Sequence, residues 1–146
     1  MTNLHISPVQ QQTFRAEAVL DQGGVAVRFS GTADLNVKPH VDRFLCQVHA
    51  EACRIDVASV SVDLSALEFI NSSCLKAFVT WITTVQEMAQ GRYQISFMFR
   101  PARDWQKRSV DALSRLGEEV VSSRPSAEPS SGDGASQMPI AAAAGK

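Results

Sequence analysis

Residues 60–75 read Val-Ser-Val-Asp-Leu-Ser-Ala-Leu-Glu-Phe-Ile-Asn-Ser-Ser-Cys-Leu, and this segment joins a predicted strand to a predicted helix. Valines at 57, 60 and 62, with no glycine or proline among them, predict a central strand over 57–64. From Leu75 onward apolar residues recur every three or four positions, which predicts a helix that ends near Gly91. The polar turn Asn71-Ser72-Ser73 joins strand to helix, so its hydroxyls can cap the helix or hold a phosphate there.

The segments upstream show an extended pattern and then a helical one. Residues 14–20 predict an edge strand, and a Gly-Gly turn separates them from a second strand of period two, which we expect Gly31 to break. A helix is predicted from Pro39, with its apolar residues on one face. That predicted stripe consists of Val41, Leu45, Val48, Ala52 and Ile55.

The segments downstream repeat the alternation of strand and helix. Residues 93–99 predict a strand, and residues 104–116 predict a third helix that ends at Gly117. The residues expected to face inward on this helix are Trp105, Ala112, Leu113 and Leu116. Strands separated by helices need crossover connections. The sequence therefore predicts an α/β fold, a mixed β-sheet with helices packed mainly on one face.

Length and composition place this fold in a single domain. The chain has 146 residues, of which 45% are apolar, which is enough for an ordinary core. We expect a flexible lead-in at 1–14, the folded domain at 15–121 and a disordered tail at 122–146, since the last segment is rich in Ser, Pro, Gly and Ala.

Charge and hydropathy exclude several classes of partner. A formal net charge of −1 gives no broad electrostatic reason to bind nucleic acid or an anionic membrane. No apolar run approaches the roughly 20 residues that span a bilayer, and residues 1–5 lack the basic start of an export signal. We therefore expect a cytoplasmic protein in which Cys46, Cys53 and Cys74 are reduced thiols.

The order of elements, with Asp63-Leu64-Ser65 in the strand and Asn71-Ser72-Ser73 opening a helix, resembles the STAS domain. This family includes bacterial anti-sigma-factor antagonists. Its usual pattern is a strand, Asp-Leu-Ser, a few residues, then Asp-Ser-Ser-Gly-Leu and a helix. Gly31-Thr32-Ala33-Asp34 also resembles the family's turn before its first helix, and the similarity covers 15–121. It implies a STAS-like sheet.

The resemblance also implies a partner-switching protein rather than an enzyme. The family's kinase target corresponds to Ser72, with Ser73 as the second candidate, and phosphorylation would release the partner by adding negative charge. The implied partner is a regulatory protein, a GHKL-type serine kinase that is also an anti-sigma factor. That kinase would bring the ATP, so no cofactor is expected. The implied contact surface consists of Asp34, Asn71, Ser72, Ser73, Cys74 and Lys76.

Two positions depart from the family's pattern and leave alternatives open. Asn71 replaces an aspartate, which keeps a good helix cap but removes a charge beside the acceptor hydroxyl. Cys74 replaces a glycine and adds a side chain. These changes favour a constitutive scaffold or assembly subunit that is not phosphorylated. A third class is a small-ligand or redox sensor, if the helix dipole lowers the thiol pKa of Cys74. Whether the chain forms a homo-oligomer is left open by the sequence.

A metal centre is a weaker hypothesis. Cys46, His49 and Cys53 fall on one side of the predicted helix. The two cysteines are then about 10 Å apart along the axis at roughly 1.5 Å per residue. Zinc bonds of about 2.0–2.3 Å cannot span that separation with one ion. We therefore expect no metal site.

A catalytic centre is also a weaker hypothesis. Asp34, Asp63 and Glu68 could form a carboxylate set, but no phosphate loop or Ser-His-Asp pattern accompanies them, so no catalytic residue is expected. Asp63 is interpreted as tying down a loop, and Glu68 precedes Phe69, which we expect to be buried. Trp81 lies at the edge of its helix's apolar face and is interpreted as a partly buried core residue.

Overall fold

A computed structural model describes residues 4, 6–11, 13–22 and 24–125. These residues form one six-stranded sheet in which each strand pairs with its neighbours in chain order. The strands are β1 (Val9–Gln11), β2 (Phe14–Asp21), β3 (Gly24–Ala33), β4 (Ser59–Ile70), β5 (Gln94–Phe99) and β6 (Val121–Pro125). The helices are α1 (Lys38–Ile55), α2 (Ser72–Gln86) and α3 (Asp104–Leu116), and a short 3-10 turn, Leu35–Val37, precedes α1.

The sheet is mixed. β1, β2 and β3 are antiparallel neighbours, whereas β4, β5 and β6 are added in parallel through the crossover helices. In the part of the chain that the structure describes, no helix is both long enough and apolar enough to cross a lipid bilayer.

One face of the sheet carries the core. Alternate residues of the central strands are buried, whereas the residues between them, such as Arg28, Ser61 and Ser96, are half-buried or exposed. The apolar faces of α1 and α2 and part of α3 complete the same cluster. The buried strand residues include Val25, Val27, Phe29, Val60, Val62, Leu64, Ile95, Phe97 and Phe99. The helices therefore pack mainly on one face, and this prediction is confirmed.

Gly31 does not end the second predicted strand, so that expectation is wrong. β3 continues to Ala33 because Gly31 adopts a φ of +86°, where its pairing with β4 shifts register. The next residue, Thr32, donates its N–H to the Thr13 carbonyl oxygen at 2.9 Å. A glycine here allows a bulge and a close approach of two backbones.

Other element boundaries also differ from the predictions. β2 is an edge strand only over residues 17–21, because β1 pairs with its first three residues along the outer side. β4 extends six residues beyond the predicted end, from Leu64 to Ile70. α2 ends at Gln86, before Gly91.

The sheet reaches past both expected domain boundaries. β1 lies inside the expected lead-in, and β6 takes in residues 122–125, which composition placed in the tail. Both are short edge strands with little apolar signal, and in β6 only Val121 is buried. Residues 126–146 of the expected tail lie outside the described residues.

The inward face of α3 differs from the predicted one. Ala112 and Leu116 were expected to face inward, yet Ala112 is exposed and Leu116 is 44% exposed. The buried residues are Gln106, Val110 and Leu113, which follow each other at helical spacing. A polar glutamine in the core position shifts the apparent apolar stripe, and this caused the error.

Candidate functional site

The residues that the STAS resemblance singled out meet at one edge of the sheet. β3 and β4 are parallel, and their last paired residues are Ala33 and Ile70. The next residues, Asp34 and Asn71, therefore leave the sheet side by side, and the Asn71 N–H donates to the Ala33 carbonyl oxygen at 2.9 Å. Binding sites of α/β proteins are commonly found at this end of parallel strands.

Asp34 and Asn71 both cap the helical turns that follow them. Asp34 Oδ1 accepts from the Asn36 N–H at 2.9 Å, and Asn71 Oδ1 accepts from the Cys74 N–H at 2.9 Å. Neither serine of the pair is the N-cap of α2, because the helix begins at Ser72. The capping role considered for the serines therefore belongs to Asn71, whose amide oxygen serves as well as a carboxylate would.

Ser72 and Ser73 occupy the first two positions of α2. Ser72 is exposed and Ser73 is half-buried. Within the described residues neither hydroxyl makes a hydrogen bond to protein. Lys76 is exposed and lies one turn after Ser72, so the two share a side of the helix. The Ser72 hydroxyl is thus accessible at a helix N-terminus.

Cys74 is fully buried at 0% exposure. Its Sγ–H donates to the Asp34 carbonyl oxygen at 3.3 Å and so ties α2 to the loop after β3. Burial raises the pKa of the Cys74 thiol, and the Asp34 charge raises it further. The redox-sensor alternative required a lowered pKa of this thiol, and burial shifts the pKa in the opposite direction. The side chain that replaces the family's glycine points into the core and leaves the surface clear.

Leu35 and Phe69 are exposed apolar residues at the same edge. Leu35 is 65% exposed and follows Asp34, and Phe69 is 49% exposed and pairs with Thr32 near the end of β4. The expectation that Phe69 is buried is wrong. The register shift after Gly31 interrupts the alternation of β4, so that Glu68 and Phe69 are both exposed. We name Leu35, Phe69, Ser72 and Lys76 the helix-start surface.

The sequence analysis missed the apolar part of this surface for a physical reason. Leu35 lies outside every periodic run, and the alternation of β4 predicts the wrong side for Phe69. An irregularity in strand pairing cannot be seen from one strand alone. The available signal for the exposed apolar residue was that Leu35 directly follows the polar turn residue Asp34.

Asp63 of the hypothetical carboxylate set has a structural role. Asp63 Oδ1 accepts from the Ser65 N–H at 2.9 Å and from the Ser65 hydroxyl at 2.6 Å, so it ties down a local bend. Over residues 4, 6–11, 13–22 and 24–125, no three His, Cys, Asp or Glu side chains are placed to share a metal ion.

His49 of α1 is linked through Tyr93 to Trp81 of α2 by hydrogen bonds between side chains. Trp81, which is only 4% exposed, donates its Nε1–H to the Tyr93 hydroxyl oxygen at 2.8 Å, and that hydroxyl lies 2.7 Å from His49 Nδ1. His49 Nε2 lies 3.7 Å from Cys53 Sγ. Since the indole N–H already donates to Tyr93, the phenolic O–H can donate to Nδ1 of a neutral His49 ring. Trp81 is a core residue, as interpreted.

Acidification should destabilise the protein through His49. Burial lowers the pKa of His49 from its ordinary 6.5, so below neutrality the folded state binds fewer protons than the unfolded state. Stability should therefore fall as pH drops through about 6.5, where unfolded histidine becomes charged. Urea unfolding at pH 7.5, 6.5 and 5.5 measures this slope, and His49→Gln should flatten it.

His40→Gln is the matched control, because it removes a histidine from the same helix that is not bonded to Tyr93. It should change the slope less than His49→Gln does. If the free energy of unfolding depended on pH equally in the wild type and in His49→Gln, His49 would not be the source of the pH dependence.

Comparison with known proteins supports the fold. No protein-family model matches this chain, and no curated protein matches it. Among solved structures, an anti-sigma factor antagonist from Mycobacterium paratuberculosis superposes with a TM-score of 0.55 at 15% sequence identity. The match covers 75% of this chain and 86% of that protein. This chain therefore has the STAS-like α/β fold that its sequence predicted.

Proposed function

We propose that this chain is a cytoplasmic, non-enzymatic signalling module that acts as an anti-sigma-factor antagonist. It binds a regulatory protein through the helix-start surface and releases it when Ser72 is phosphorylated. The observation that carries the proposal is Ser72 itself, which is exposed at the first position of the 15-residue helix α2. Asn71 performs the capping, so the hydroxyl is left for another role. The shared fold with an anti-sigma factor antagonist supports the general class.

The chemistry of the helix-start surface suits a protein partner. Leu35 and Phe69 supply exposed apolar side chains, which act as anchors when a partner excludes water from them. Lys76 adds an exposed charge to this surface, and the half-buried Asp34 directly precedes Leu35. The proposed partner is a GHKL-type serine kinase that is also an anti-sigma factor and that brings its own ATP.

Phosphorylation of Ser72 would change this surface by charge. A phosphate adds about −1.5 to −2 charges at neutral pH. At the start of α2 it would lie near free backbone N–H groups and the positive end of the helix dipole, with Lys76 one turn away. The modified helix start therefore tolerates the group, while a partner that covers Leu35 and Phe69 would have to desolvate it.

Asn71 favours a second candidate function. Its neutral amide stands where a carboxylate would flank the acceptor hydroxyl, and Asp34 is engaged with the Asn36 N–H. In that case the same surface binds a partner constitutively, as a scaffold or assembly subunit, without a phosphate switch.

Mass spectrometry of the protein from its native cells separates the two. Trypsin should release residues 55–76 as one peptide, which holds both Ser72 and Ser73. Fragment ions must assign the phosphate to one serine. Phosphate on Ser72 in some growth or stress condition supports the switch, and a consistently unmodified peptide supports the scaffold.

Ser72→Asp should weaken binding of the kinase at least tenfold, because it places a permanent charge on the surface that carries the apolar anchors. The measurement is calorimetric titration with the kinase recovered from native cells. Ser122→Asp is the matched control, since it makes the same change at an exposed serine of the edge strand β6 and should leave the affinity unchanged. Wild-type affinity in Ser72→Asp would contradict the switch.

A further inference from the structure

We propose that the groove between α1 and α2 binds a small, uncharged and mainly apolar molecule. The groove has a volume of about 450 Å³. Small-molecule sites in proteins are roughly 300–1,000 Å³ in volume. Leu45 and Cys46 of α1 face Ala77 and Trp81 of α2 across it, with His49 and Thr84 also in its lining.

Three polar side chains of the groove, those of Lys38, Asp42 and Thr84, already have partners within its lining. Lys38 Nζ lies 2.6 Å from Asp42 Oδ2, so the charges of this lining pair cancel. The Thr84 hydroxyl donates to the Thr80 carbonyl oxygen at 2.8 Å. A charged ligand would have to break the Lys38–Asp42 pair, whereas an apolar ligand leaves these bonds intact.

The indole N–H of Trp81, another polar group of the lining, also has a partner. The Trp81 indole N–H is used by Tyr93 at 2.8 Å, so the indole offers the groove a carbon surface. Burial lowers the pKa of His49, which keeps that ring neutral at physiological pH. The walls therefore select an uncharged, largely apolar molecule.

The walls are held in position before any ligand arrives. The Tyr93 hydroxyl bonds Trp81 of α2 and His49 of α1 at 2.8 and 2.7 Å, and so it ties the two walls together. The indole ring of Trp81 also contacts Phe78, with ring centroids 6.4 Å apart. A ligand entering a preformed groove loses little affinity to ordering of side chains.

The volume favours a small molecule over a protein segment. A helix with its side chains is about 10–12 Å wide and rises about 5.4 Å per turn. The groove would hold roughly one such turn, whereas helices that bind in grooves use anchors spread over about two turns.

The chain offers a matched pair of native thiols for the test. Cys46 and Cys53 are both exposed on α1, but only Cys46 lines the groove, and Cys74 is buried. Cys53→Ser leaves Cys46 as the exposed thiol, and Cys46→Ser leaves Cys53. The probe is N-phenyl-1-naphthylamine, an uncharged aromatic amine whose fluorescence rises in apolar surroundings.

The probe should bind saturably at one equivalent and slow the reaction of Cys46 with N-ethylmaleimide at least fivefold. Cys53 should be slowed less than twofold, each thiol being compared with its own rate without probe. This comparison is needed because burial and the Asp56 charge raise the pKa of Cys53. Equal protection of both thiols, or fluorescence that does not saturate, would overturn the proposal.

A groove-filling variant gives an independent readout. Thr80 is exposed at the rim, so Thr80→Trp should fill the groove without disturbing the core and abolish saturable binding. Ala112→Trp adds the same side chain at an exposed position of α3 and should bind the probe normally.

Two further outcomes would count against a small-molecule site. Undiminished binding in Thr80→Trp would place the probe elsewhere. A dimer in sedimentation experiments, with Cys46 protected as protein concentration rises, would make a second copy of the chain the occupant.

Discussion

Gly31→Ala should lower the free energy of unfolding by about 3–5 kcal/mol, the range of severe backbone strain and core disruption. Gly31 has a φ of +86°, and a Cβ atom built on it would lie 1.7 Å from the Thr13 carbonyl oxygen. That oxygen accepts the Thr32 N–H, so relief of the clash must pull β2 away from β3. The damage would reach the Asp34 cap, which follows β3 directly.

Gly91→Ala is the control that separates conformational cost from steric clash. Gly91 has a φ of +73°, but its nearest neighbour to an added Cβ is Met88 Cε at 3.8 Å. It should lose only about 1 kcal/mol, the ordinary cost of a left-handed alanine. Urea unfolding measures both variants. A loss in Gly31→Ala no larger than that in Gly91→Ala would refute the close approach to Thr13.

Gln106→Ala should cost about 3–5 kcal/mol, because it removes a fully buried side chain together with its three hydrogen bonds to the backbone. Gln106 is 0% exposed, and its Nε2 donates to the carbonyl oxygens of Leu64 and Leu67 at 2.8 Å each. Its Oε1 accepts from the Arg100 N–H at 2.7 Å. The Gln106 amide thus supplies hydrogen bonds to the part of β4 that extends beyond its pairing with β5.

Gln86→Ala is the matched control for the glutamine. Gln86 Nε2 also donates to a backbone oxygen, that of Leu116 at 3.2 Å, but this bond is exposed to water. Its loss should cost less than about 1 kcal/mol. Urea unfolding measures both variants. Equal losses in the free energy of unfolding would show that the buried hydrogen bonds of Gln106 stabilise the protein no more than the exposed bond of Gln86 does.

The central architecture could be predicted because its signals are local. Period-two apolar residues in β3 and β5 and the helical stripe of α1 each report burial on one face, and the structure places them there. The boundaries of α3 were also predicted from its pattern and the glycine after Leu116.

The errors arise where a contact from a distant segment decides the outcome. The Gly31 bulge depends on Thr13, the inward position of Gln106 depends on carbonyls of β4, and the exposure of Phe69 depends on a register shift. A polar residue in the core and a bulge in a strand both break the periodicity that sequence patterns rely on.

The candidate site was only partly predictable for the same reason. The motif places Asp34 and Asn71 at turns, and the pairing of Ala33 with Ile70 brings those turns together. The inward direction of Cys74 and the exposure of Leu35 depend on packing between α2 and the loop after β3. Whether Ser72 is phosphorylated stays a prediction.

The order of the strands has a consequence for synthesis of the chain. Each strand lies beside the one that precedes it, so a growing polypeptide can add every new strand to an edge that already exists. Until β5 is made, the first half of β4 presents an unpaired parallel edge, a template for aggregation. Within the described residues this side of the sheet ends instead on β6, whose Arg124 and Pro125 are unfavourable to further pairing. Among the described strands, the last to be synthesised is therefore the one that covers the edge of β5 against other chains.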